Sequence, residues 1–111
     1  MKTKSRVAIN TWQQGDVLGV RLTRMPELPA GAVVTRHRLV LAHGESGHSH
    51  VIEDDEAELI QIGERMLLKL GRAATVQHEE HKPITLSPGI WEIGRVREYD
   101  PFLELSRRVM D

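Results

Sequence analysis

Hydrophobic and polar positions alternate with a period of two along much of this chain, and that period is the signature of half-buried strands. The clearest case is Val33 to Ala42. Val33, Thr35, His37, Leu39 and Leu41 fall on one face, and Arg36 and Arg38 on the other. Before it, Gly15-Asp16 reads as a turn feeding a strand from Val17 to Leu22, and Pro26 to Pro29 reads as a loop that ends at Ala30-Gly31. Gly44 and Gly47 interrupt the alternation, and a strand from His48 to Glu53 resumes it as a hairpin partner. Leu59 to Ile62 and Met66 to Leu70 flank Gly63-Glu64 as a second hairpin. Gly71-Arg72 turns into a strand over Ala73 to Glu80, and Pro83 bars a central-strand interior where it stands. Ser87-Pro88-Gly89 separates Ile84 to Leu86 from Ile90 to Tyr99.

The tail changes period. Asp100 is a helix N-cap and Pro101 a first helical residue. Phe102, Leu105 and Val109 follow at helical spacing, and Arg107 and Arg108 sit in the last turn, where the dipole favours cations. A helix of about ten residues is too short to stand alone. It is expected to dock on the sheet or on a second copy, which makes a homodimer the expected assembly. The pattern predicts a mainly β chain of about eight strands: one domain over residues 1–111, a small β-barrel or sandwich with a short C-terminal α-helix. Residues 1–10 are expected to be a flexible basic segment.

Composition narrows the chemistry. The chain has 111 residues and no cysteine, so any metal must take nitrogen and oxygen ligands. A core of this size can suffice without structural metal, so a bound metal would be functional. No apolar run approaches the length needed to span a bilayer, and Met1 to Asn10 lacks an apolar stretch, so a cytoplasmic protein is expected. The net charge of −1 hides an asymmetry: residues 1–42 hold 7 Lys/Arg and 2 Asp/Glu, residues 43–111 hold 8 and 14. The densest acidic run, Glu53 to Glu58, is expected to be a solvated turn.

Five of the six histidines lie in two stretches, 43–50 and 78–81. In a strand His48 and His50 project to one side, shared with Ile52. In the strand after Gly71-Arg72, His78 and Glu80 share the apolar face of Ala74 and Val76. His48, His50, His78 and Glu80 are therefore candidates for one inward cluster, since convergence on a cation offsets the cost of burying them. His81 falls on the opposite face unless the strand ends there, which Pro83 favours, so His81 stands as an alternate fourth ligand. His43 could add a ligand, and His37, between two arginines, reads as structural.

With His48-Ser49-His50 in one strand and a later histidine in another, the chain resembles a minimal cupin. Glu56 and Gly63 roughly match that family's downstream glutamate and glycine. The resemblance implies a β-barrel that binds a divalent metal through three histidines and a glutamate. The chain is also similar to small uncharacterised bacterial and phage-borne proteins. The shared segments are GExGHxH at 44–50, HEEH at 78–81, a proline-glycine turn at 88–89 and REYDP at 97–101. This second resemblance implies no activity, but it groups Arg97, Glu98 and Tyr99 with the histidines. Arg97 and Tyr99 share a strand face that suits an anionic ligand.

The leading expectation is a metal-binding protein with a His/Glu site for zinc, iron, manganese or nickel on His48, His50, His78 and His81. If catalytic, it would act on a small or anionic substrate, with Glu79 or Glu80 as base and Arg97 and Tyr99 in attendance. Two other classes remain open. One is metal-free acid–base catalysis by His and Glu. The other is an RNA- or protein-binding module using Arg21, Arg24, Arg36 and Arg38. Four aromatic residues and a net negative charge disfavour nucleic acid.

Overall fold

Nine strands and no helix make up the described part of the computed structural model, which comprises residues 6–8, 10–43 and 48–96. They are β1 (Arg6–Ala8), β2 (Thr11–Gln14), β3 (Val17–Leu22), β4 (Val33–His43), β5 (Ser49–Ile62), β6 (Arg65–Leu70), β7 (Ala74–Val76), β8 (Ile84–Leu86) and β9 (Gly89–Arg95). Six form one sheet in the order β2-β3-β9-β6-β5-β4, and three form a second in the order β1-β8-β7. All neighbours run antiparallel except β1 and β8.

Two expectations are corrected. The fold is not a closed barrel, because β2 and β4 are the outer strands of the larger sheet. The first half of β4, residues 33–38, is exposed, and its Arg36 and Arg38 pair with Glu58 and Glu53 of β5. Charges of this kind discourage further pairing at a sheet edge. The expected C-terminal helix falls on residues 97–111, outside the described residues, and there is no helix among the described residues. The segment expected to be flexible contributes β1, which pairs with β8 from Arg6 opposite Ile84 to Ala8 opposite Leu86.

The inward faces of both sheets share one apolar cluster. Trp12, Val17, Leu39, Ile52, Leu68, Val76, Leu86 and Trp91 belong to it. Trp91 is fully buried and donates its Nε1 proton to the Ser87 carbonyl at 3.0 Å. Trp12 lies flat against its cross-strand partner Gly19. A Cβ at Gly19 would stand 2.2 Å from the indole Nε1, so only glycine admits the ring there.

β5 decides where the two sheets meet. Its second half pairs with β6, from Ala57 opposite Leu70 to Ile62 opposite Arg65. Its first half leaves β6 behind, and Val51 instead exchanges two backbone hydrogen bonds with Gln77, just past β7. The change of neighbour coincides with a bulge. Arg36 pairs with Glu58 and the next residue, His37, with Asp54, so Asp55, Glu56 and Ala57 are extra on β5. The acidic run is therefore a bulged strand rather than a solvated turn. Arg72 clamps it, with contacts to Asp54 at 3.2 Å and Glu56 at 3.5 Å. That guanidinium holds the Asp54 carboxyl below its ordinary range. A second irregularity, at Leu41, precedes His50 opposite Ala42.

Candidate metal centre

Three pieces of backbone bring the histidines together. β5 carries His50 at its second residue, with its side chain on the inward face of Ile52, and His48 just precedes the strand. β7 stops at Val76, short of the expected strand end at Glu80, and residues 78–83 form the connection to β8. Leaving the strand frees His78 and His81 from the alternation that would have set them on opposite faces. The third piece is the β2–β3 turn, Gly15-Asp16, with Gly15 at φ +60°.

The rings lie close. The His78 centroid is 4.4 Å from His50, 4.7 Å from His81 and 5.8 Å from His48, and His50 and His81 are 6.1 Å apart. Gly15 leaves room for them. A Cβ there would meet His81 Nε2 at 2.8 Å and His50 Cε1 at 3.4 Å.

Gln14, which sequence reasoning passed over, fixes the chemistry of His50. Both are buried. The Gln14 amide nitrogen donates to the carbonyls of Val76 at 3.1 Å and Lys82 at 2.9 Å. Carbonyls only accept, so the amide cannot be reversed, and Oε1 must face His50 Nδ1 at 2.8 Å. That acceptor places the imidazole proton on Nδ1. Burial pushes the His50 pKa down to about 4, with the neighbouring His78 adding to the shift. At neutral pH the ring is uncharged and Nε2 carries a free lone pair.

That lone pair faces Asp16 Oδ1 at 3.8 Å. Asp16 is held ionised by Arg95, whose Nη2 donates to Oδ2 at 2.8 Å and lowers the carboxyl pKa. Asp16 was legible only as a turn residue. Nearer the surface, His48 donates from Nδ1 to Glu79, and its Nε2 stands 3.6 Å from Glu80 Oε2. His78 differs: its Nδ1 accepts the Glu80 backbone N–H at 3.0 Å, so its neutral ring carries the proton on Nε2.

The four expected metal-ligating histidines are thus neighbours, with Glu79 and Glu80 beside His48. Among the described residues no three His, Asp or Glu side chains stand ready to close on one ion. Arg97 and Tyr99 lie outside the described residues, as does the side chain of His43. His37 points away and pairs with Asp55 at 3.0 Å, its backbone at φ +79° beside the bulge. Glu56, the cupin-like glutamate, pairs with Arg72 rather than with a histidine. Arg21 of the expected basic strip donates to Ser87 at 2.7 Å and lies over Trp91.

A family model matches residues 13–96, which is most of the chain. The chain belongs to the family described as a domain of unknown function, DUF8820. The matched span contains Gln14, Asp16, both described histidine stretches and Arg95, and it ends before Arg97. No curated protein and no solved structure matches the chain.

The lowered pKa of His50 has a consequence for stability. Its folded-state value, about 4, lies below the unfolded value near 6.5, so the unfolded chain binds the extra proton first as pH falls. The contribution of the neutral ring is complete above about pH 6.5 and is lost as pH falls toward 4, amounting to about 3 kcal/mol across the window. Urea midpoints of the chelator-treated protein should fall over that range. His50→Gln should remove most of the slope, and an unchanged slope would show that His50 is not held neutral.

Proposed function

We propose that this protein binds a divalent transition metal through His50 Nε2, Asp16 and His81. The observation that carries the reading is the locked tautomer of His50. Gln14 takes the Nδ1 proton, and the remaining lone pair faces a carboxylate oxygen with no proton to share. Metal-ligating histidines characteristically donate the other ring N–H to such an acceptor. Two ligands of a tetrahedral ion with bonds of about 2.1 Å stand about 3.4 Å apart, and the 3.8 Å separation needs only a small approach. His81 is exposed, so its ring can turn toward the ion at little cost. His78 can join as a fourth ligand by giving up the Glu80 N–H, or it can donate from Nε2 to a ligand on the metal.

Nitrogen and oxygen donors suit zinc, iron(II), manganese and nickel. Three protein ligands would leave a position for water, which a bound cation acidifies toward nucleophilic use. Elemental analysis of protein purified without an affinity tag tests the reading. Stoichiometric metal is expected in the wild type and its loss in His81→Ala, whose exposed position leaves the fold intact. Absence of metal, after incubation with each of these four ions as well, would contradict it and favour metal-free acid–base chemistry.

A further inference from the structure

We infer that the free edge of β4 pairs with the same edge of a second copy, antiparallel about a two-fold axis through Val34, so that the two six-stranded sheets become one. The large apolar side chains exposed among the described residues are Leu28 at 45%, Val33 at 60% and Val34 at 39%. All three lie close together, in the loop that enters β4 and at the start of the strand.

Val33 and Val34 point to opposite faces of the sheet. Their neighbours in the same rows are better covered. Ile60 and Leu67, beside Val34, are fully buried, and Met66, in the Val33 row, packs against the core. Apolar cover thus runs out at β4, and it does so on both faces. A layer laid on one face would leave the other valine exposed, whereas a strand added at the edge shields both. Every second residue of an outer strand also turns its N–H and C=O away from the sheet, and no described strand meets β4 on that side.

The side chains suit a second copy of the same edge. With Val34 opposite its own counterpart, Val33 falls opposite Thr35, and Arg36 opposite Ala32. Cross-strand pairs of β-branched residues are favourable. Arg36 and Arg38 guard the edge further on, but in this register neither meets an arginine. Each is also balanced within its own copy, by Glu58 at 2.7 Å and Glu53 at 3.3 Å. The regular edge ends at Arg36, because His37 takes a left-handed backbone, φ +79°, beside the bulge. The pairing therefore spans residues 32–36 of each copy, a stretch centred on Val34. A charged peptide would gain little steering from an edge whose charges are already balanced, which favours the second copy over a charged partner strand.

A contact of this length sits at the small end of specific interfaces, so the dimer should dissociate on dilution. Sedimentation of chelator-treated protein from micromolar to millimolar concentration tests the pairing without reference to the metal, and thermal melts confirm that each variant folds. The wild type is expected to pass from monomer to dimer. Val34→Lys and Val34→Glu each set like charges face to face and should stay monomeric. Mixed in equal amounts, the two should form a heterodimer, because lysine then faces glutamate. A wild type that stays monomeric, a dimer that persists in Val34→Lys, or a mixture that does not associate would each overturn the inference. So would species larger than a dimer, which would mark a head-to-tail pairing of β4 with a different edge.

Discussion

Replacing Gln14 with leucine should lower metal affinity by about 10- to 100-fold, the usual effect of removing a group that orients a ligating histidine. The leucine side chain fills similar space, so the loss comes from hydrogen bonding. Without Oε1 the buried His50 ring has no acceptor for Nδ1–H and is free to take the other tautomer, with its proton aimed at Asp16. The Val76 and Lys82 carbonyls lose their donor as well. Each buried group left unpaired costs about 1–3 kcal/mol, so the variant should also melt well below the wild type. Gln14→Glu separates the two effects. Its carboxylate still accepts from His50 but cannot donate to the carbonyls. It should keep more of the metal affinity while losing stability. Equal affinity in all three proteins would mean that Gln14 supports only the fold.

The largest purely structural effect is expected at Gly19. An alanine Cβ there would lie 2.2 Å from the Trp12 indole nitrogen, far inside any contact distance. Trp12 is only 5% exposed and has little room to retreat, so the strands must part or the ring must leave its rotamer. Overpacking of this kind costs about 3 kcal/mol. The indole nitrogen has no hydrogen-bond partner among the described residues, so Trp12→Phe removes the clashing atom without breaking a bond. The double variant should therefore recover a measurable part of the loss. Strict additivity of the two changes in denaturant melts would show that the close approach is not what requires glycine.

How much of this was legible in the sequence differs from element to element. The β3, β4 and β6 strands and the Gly63-Glu64 hairpin follow from short runs rich in apolar and β-branched residues bounded by turn residues, even though β3 and β6 bury side chains on both faces. β5 was misread in its middle. A run such as Glu53 to Glu58 carries no apolar alternation, and it forms a strand because β4 pairs with it while Arg36, Arg38 and Arg72 balance its charges. β1 and β2 were missed for want of pattern: three and four residues are too few to show a period. The closed barrel implied by the cupin resemblance gives way to two sheets because β5 changes neighbours at its bulge, leaving β4 as an edge.

The histidines were legible as a group, since they cluster in sequence and two strands could bring them together. Their partners were not. Gln14 and Asp16 lie 34 or more positions from His50, and neither residue type signals a ligand set on its own. They matter through a turn held open by Gly15 and through an amide whose direction is set by two distant carbonyls. His81 was assigned to the opposite face by strand alternation. It joins the cluster because the strand ends at Val76, with Pro83 barring a return to the ladder before β8.

Anomalous diffraction at the zinc edge, from crystals of the untagged protein grown with zinc, addresses the central claim most directly. A peak about 2.1 Å from His50 Nε2 and from an Asp16 oxygen, with Gln14 Oε1 still bonded to Nδ1, is the expected result. A map with no peak at His50, or with zinc held only by exposed side chains while His50 Nε2 keeps its distance from Asp16, would contradict it.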